Sequence, residues 1–159
     1  MNLGPLRYLP LAFGIACAEK GGDSADGAAL ALWDEIQGYS SYEQHPDFAG
    51  IQVSEDGTHG PFVQVWLNST AAGAAASGSS ETMPDGAIVV KEGYDDGAGT
   101  SLRSITVMKK VDGSDPDHGD WQFAAFTENG SVQTAGADAA DYCSGCHSSG
   151  QDFIRAFAW

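Results

Sequence analysis

Cys143-Ser-Gly-Cys146-His147 constrains this chain more than any other stretch of it. Two thiols three positions apart can both reach the vinyl groups on one edge of a porphyrin, and the next residue delivers an imidazole beneath the iron. The spacing predicts one covalent haem c, held by Cys143 and Cys146, with His147 as axial ligand of the iron. Two other uses of a cysteine pair fit less well. A structural zinc site needs four ligands, usually as two separated pairs, and there is no second cysteine pair. A thioredoxin-like pair opens a long helix within a βαβ framework, and only 12 residues follow His147.

Three cysteines is an odd count, and the third, Cys17, belongs to a different feature. Arg7 precedes a short apolar run, Tyr8 to Ala16, which is too short to span a bilayer. Cys17 follows at once, and then the small, polar stretch 18–27. This is the layout of a bacterial leader, expected over 1–17 with a flexible tether over 18–27. Cys17 is then a lipid anchor, or an ordinary signal peptide is cut nearby. Either way the expected location is periplasmic or otherwise extracytoplasmic. Residues 28–159 remain as one haem domain, a length that suits a single compact unit.

The charge balance bears on partners. There are 22 acidic against 7 basic residues, a formal net charge of -15. Nucleic acid and anionic membrane surfaces repel such a protein. A basic electron-transfer partner protein does not. The acidic loop from Asp112 to Asp120 lacks the spacing of an EF-hand and reads as a solvated turn.

Periodicity gives the fold class. Ala28 to Tyr39 reads as a helix, with Leu30, Leu32, Trp33 and Ile36 near helical spacing and Gly38 near its end. Four runs read as strands: 61–68, 87–92, 101–111 and 120–127, the last closed by the turn Glu128-Asn129-Gly130. The Ala-, Gly- and Ser-rich stretch 69–80 is either a short helix or a loop. A final helical stretch covers 136–142. The expected architecture is α+β: an antiparallel sheet of about four strands with helices at both ends.

No methionine follows His147, so a sixth iron ligand would come from upstream: Met83, Met108, His45, His59 or His118. Met108 reads as strand packing. His59 and His118 lie in Gly- and Asp-rich loops and read as solvated. The expectation is a five-coordinate iron with an open distal face, suited to small ligands. Lys91 is the odd residue of its strand, in phase with Ala87 and Val89. It is either buried, with its amine neutral, paired or chemically consumed, or it snorkels to solvent from the strand end. Trp66 and Trp121 suit core packing or a haem wall. Phe153, Phe157 and Trp159 are expected to close over the porphyrin.

Taken in order, Pro61-Phe-Val-Gln-Val-Trp-Leu-Asn68, Pro84-Asp-Gly-Ala-Ile-Val-Val-Lys-Glu92, Val107-Met-Lys109, Gly119-Asp-Trp121 and the haem motif resemble the cytochrome P-460 and cytochrome c′-beta family. The resemblance runs from about residue 58 to the end. It implies an antiparallel β fold, a pentacoordinate haem c and a protected distal pocket. P-460 members oxidise hydroxylamine, whereas c′-beta members bind nitric oxide and carbon monoxide. The resemblance assigns Lys91 to the lysine that P-460 members bond to a porphyrin meso carbon. The family's distal carboxylate and arginine fall near Met108 and Val63, both apolar here. Proton removal from a substrate would then fall to Glu92 or to water, and an apolar pocket suits a diatomic gas. A homodimer is also compatible with the resemblance.

Overall fold

The computed structural model describes residues 22–78 and 80–159, with side chains described from residue 26 onward. The expected leader lies outside the described residues, as does Cys17. No helix among the described residues is long and apolar enough to cross a membrane.

The first helix, α1, runs Gly22–Glu35 and so begins inside the stretch expected to be tether. Ala29 and Leu32 form its buried side, continued by Ile36 just past its end, whereas Leu30 is 51 % exposed. Gly38 ends the helical course in the left-handed region (φ 81°), where a side chain would be strained.

Seven strands form one antiparallel sheet: β1 (Glu43–Gln44), β2 (Gln52–Val53), β3 (Phe62–Leu67), β4 (Ile88–Tyr94), β5 (Leu102–Lys110), β6 (Trp121–Phe126) and β7 (Val132–Ala135). The order is β1-β3-β4-β5-β6-β7, with β2 sharing an edge of β3 with β1. The four long strands are the four expected. The other three are too short or too polar to show a period of two. The α+β class stands, with a larger sheet than expected.

Both faces of the sheet are covered. On one face, α1 packs Leu32 and Ile36 against Ile88, Val90, Ile105, Val107 and Phe126. On the other, Val65, Leu67, Val89, Met108 and Phe123 meet two further helices, α2 (Ser69–Ser77) and α3 (Gly136–His147). The undecided stretch is therefore partly helix. Asn68 caps α2 by accepting from the Ala71 N–H at 2.9 Å. This double coverage explains why β4 reads as the unbroken apolar run Ile88-Val89-Val90.

Register sets what shares the second face. Lys91 lies opposite Val65 on β3 and Thr106 on β5, and Met108 lies opposite both Val89 and Phe123. Side chains alternate along a strand, so Val63, Val65, Val89, Lys91, Thr106, Met108 and Phe123 point the same way, towards α3.

Candidate functional site: a cavity between the sheet and the C-terminal helix

Helix α3 continues through the cysteine motif and stops at His147. Cys143 and Cys146 are three positions apart on it and therefore neighbours on one helix face. Both are free thiols. Together with His147 they line a cavity of about 1000 Å³ including its open mouth. A smaller, more enclosed cavity of about 450 Å³ adjoins it against the sheet. The two share His59, Lys91, Cys143, His147, Arg155 and Ala156.

His147 is set for metal binding by its second nitrogen. Nδ1 lies 2.8 Å from the Phe153 carbonyl oxygen, which can only accept, so Nδ1 carries the proton. The lone pair is then on Nε2. Burial lowers the pKa of His147, against the pull of that hydrogen bond, and keeps the ring neutral as a ligand must be.

The Phe153 carbonyl is held by a strained turn. Asp152 (φ 43°) and Phe153 (φ 64°) both occupy the left-handed region, rare for a bulky side chain. A buried network pins them. Lys110 Nζ donates to both carboxylate oxygens of Asp152, at 2.8 and 2.9 Å, and to the Gly119 carbonyl at 2.7 Å. The Met83 N–H donates to Asp152 Oδ2 at 2.7 Å, and Trp121 Nε1 donates to the Asp152 carbonyl at 2.8 Å. Trp121 is thus core and clamp, and lines neither of the two cavities at His147.

Lys91 reaches both cavities from the middle of β4 and is half-buried. Burial pushes its pKa down, towards a neutral and nucleophilic amine. Its Nζ has no hydrogen bond or ion pair among the described residues. Val63 lines the outer cavity and Met108 the inner one. The inner cavity is otherwise largely apolar, with Val89, Phe123 and Ile154 in its wall.

Several expectations are corrected. Glu92 faces away from the cavities, where its carboxylate accepts from Tyr39 Oη at 2.7 Å and Trp66 Nε1 at 2.8 Å. It is not available to take a proton from a substrate at the site, because alternation puts it on the face opposite Lys91. Phe153, Phe157 and Trp159 line neither cavity. Phe157 instead stacks on His45 at 4.4 Å between ring centres, and Trp159 Nε1 donates to the Ser80 carbonyl. The C-terminal segment contributes Arg155 and Ala156 to the walls.

His59 is the largest departure. It is not a solvated loop residue but a half-buried one whose ring centre lies 6.2 Å from that of His147. Burial, then Lys91 and then His147, lower its pKa to about 4, which keeps it neutral at neutral pH. His118 pairs with Asp115 at 2.8 Å and Met83 is sealed in the core. Of the five upstream candidates for the iron, only His59 and Met108 line the cavities.

Glycine lets His59 sit there. A Cβ on Gly93 would overlap the His59 carbonyl oxygen, and one on Gly60 would come within 2.8 Å of the Tyr94 carbonyl oxygen. Gly93→Ala is therefore expected to cost about 1–3 kcal/mol as an overpacking change and to push the 58–60 loop off the sheet. Urea unfolding of the holoprotein and its absorption spectrum read the two effects; unchanged values in both would refute the close packing.

At the cavity mouth, Arg155 pairs with Asp56 at 2.9 Å. The Thr58 N–H and then Arg155 hold the Asp56 carboxyl down at about 2. That carboxylate stays ionised and is a poor proton acceptor.

The geometry so far is a pair of thiols and a neutral imidazole on one helix end, facing a cavity of about 1000 Å³ including its open mouth. The cytochrome P460 family model matches residues 39–154. The chain belongs to the cytochrome P460 family. No curated protein is similar enough to it to count as a relative. Membership makes this a haem protein, and the residues present fit that group. Two thiols sit at helix-neighbour spacing, one imidazole has its Nε2 free, and the adjoining wall is apolar. Nothing in the P460 domain offers a competing cysteine pair.

Proposed function

We propose that this cytochrome is exported, carries one haem c bonded to Cys143 and Cys146 with His147 on its iron, and binds and oxidises small nitrogen species, hydroxylamine above all. The supporting observation is the convergence of Cys143, Cys146, His147 and Lys91 on one cavity. Bound haem supplies an iron that takes N–O ligands and exchanges electrons.

The chain's own residues divide the remaining tasks. The Phe153 carbonyl orients His147. Val89, Met108 and Phe123 exclude water from the inner cavity. His59, neutral and within the cavity, offers an imidazole nitrogen to an N–H substrate, as a weak base given its lowered pKa. Electrons leave to a partner protein, and a net charge of -15 favours a basic one. Lys91 Nζ would be the nitrogen bonded to a porphyrin meso carbon. One hydrogen leaves each partner, taken up by an oxidant of the dioxygen or peroxide class.

A second reading, nitric oxide or carbon monoxide binding without turnover, is favoured by the apolar Val63 and Met108 where the family's enzymes place charged groups. The absorption spectrum and intact mass decide between them. Hydroxylamine oxidation predicts a red-shifted, broadened ferrous Soret band and a mass short of two hydrogens, both reverting in Lys91→Ala. An ordinary haem c spectrum indifferent to Lys91→Ala, with tight nitric oxide binding and no hydroxylamine turnover, would select the binding protein.

A further inference from the structure

We propose that the mouth of the larger cavity, between Val53 and the outer side of α3, is the docking surface for a basic one-electron carrier protein. The inference rests on the reading that Cys143, Cys146 and His147 hold a haem, and it places the partner which that reading requires. Among the described residues, Leu30, Val53 and Tyr142 are the large apolar side chains left exposed. Val53 and Tyr142, each 75 % exposed, line this same cavity. Exposed apolar residues scattered singly are ordinary, whereas two at one opening beside a cofactor site mark a contact surface.

Helix geometry ties that surface to the attachment motif. Asp138, Tyr142 and Cys146 follow one another at i, i+4 spacing on α3 and so form a row along it. Asp141 and Gly145 stand beside that row, and all of these residues are exposed. Cys146 therefore meets the cavity from the solvent side of the helix, one turn beyond Tyr142. A thioether at Cys146 begins at the molecular surface. A protein docked on this row has little intervening chain between itself and the cofactor.

Charge decides the kind of partner. Glu55 and Asp56 line the mouth beside Val53, and Asp138 and Asp141 flank Tyr142. The cations nearby are already engaged. Arg155 pairs with Asp56 at 2.9 Å, and His118 lies between Asp115 at 2.8 Å and Asp141 at 3.7 Å. Farther off, Arg103, Lys109 and Lys110 pair with Asp95, Glu35 and Asp152. What remains is a negative rim about an apolar pair. Its complement is an apolar patch ringed by lysines, which charge steers into place and apolar contact then closes. A second copy of this chain presents the same negative rim and is repelled.

Photoexcited zinc-substituted mitochondrial cytochrome c, a basic protein, is the probe, quenched by the ferric holoprotein. The excited zinc porphyrin loses one electron, the ferric iron gains it, and no proton moves. Excitation makes that transfer favourable whatever the resting potentials. Tris(bipyridine)ruthenium, excited in the same way, is the small-molecule control. The rate constant with the cytochrome should fall at least about tenfold between low salt and about 0.3 M salt. Glu55→Gln combined with Asp138→Asn and Asp141→Asn should flatten that slope. Val53→Ser with Tyr142→Ser should lower the rate about tenfold at fixed salt and leave the ruthenium rate within about twofold. All five side chains are exposed, and an unchanged holoprotein spectrum checks that the variants fold. A rate indifferent to salt, or to both sets of substitutions, overturns the assignment. So does a wild-type dimer that sediments as a monomer in Val53→Ser, Tyr142→Ser, because a second copy then covers the face. Intact mass separates the failures. Haem mass with any of these results removes the docking surface alone, whereas no haem mass removes the haem reading and the docking surface with it.

Discussion

Asp152→Ala should destabilise the protein by about 3–5 kcal/mol, the usual cost of leaving one partner of a buried ion pair alone. Lys110 and Asp152 are 8 % and 5 % exposed at the side chain, so water cannot replace the lost carboxylate. The Met83 N–H loses its acceptor in the same substitution. Asp152 also sits in the left-handed turn that presents the Phe153 carbonyl to His147. Its loss should therefore loosen the imidazole as well as the fold. Denaturant unfolding of the holoprotein measures the first effect, and the iron spectrum at low denaturant the second. The double variant Lys110→Met, Asp152→Leu is expected to recover only part of the stability, because it removes the unpaired buried charge but leaves the Met83 N–H without its acceptor and puts a bulky side chain at φ 43°. It should not recover the geometry at His147. If Asp152→Ala unfolds at the wild-type midpoint, the buried pair is not the clamp described.

Removing both thiols should have the largest effect on the cofactor. In Cys143→Ser, Cys146→Ser with Lys91→Ala added, so that no lysine bond holds the porphyrin, the intact mass is expected to lose one whole haem, and acidified solvent should extract all remaining porphyrin. Either single variant keeps one thioether and should keep the haem mass, with a haemochrome band shifted by the restored vinyl group. His147→Ala should retain both thioethers and the mass but change the iron spectrum, since attachment and ligation are separate bonds. If that triple variant still carries haem through denaturation, attachment at this motif is disproved. Haem kept by Cys143→Ser, Cys146→Ser but lost once Lys91→Ala is added would locate the remaining covalent link at Lys91.

The two lysines on the cavity face of the sheet show how far pattern reading goes. The period-two argument that singles out Lys91 applies equally to Lys110, two positions beyond Met108 on the same face. Sequence offered no partner for either. Lys110 turns out to be paired with Asp152, 42 positions away, and Lys91 to open into a cavity without one. Asp152 sits in an unremarkable stretch after the cysteine motif, so nothing local announces it. The same holds for Arg155 and Asp56, which meet at the mouth across 99 positions.

His59 is the sharper case. A histidine beside glycine and proline, in a polar loop, has the composition of a solvated turn. What buries it is a glycine 34 positions on, Gly93, whose missing side chain admits the loop to the sheet. The expected position of Glu92 failed for the opposite reason. Alternation along β4 is enough to put Glu92 and Lys91 on opposite faces, so that error was correctable from the sequence.

The sequence by itself determined the spacing of the cysteine–histidine motif, the four long strands, their phase and the α+β class. Each is written in short-range spacing: three positions between thiols, two between residues on one face of a strand. Only the tertiary structure decided which residues stand around His147. Those neighbours come from loops and strand ends far apart in the chain, and what joins them is the exclusion of water from a shared space, which leaves no periodic trace in the order of residues.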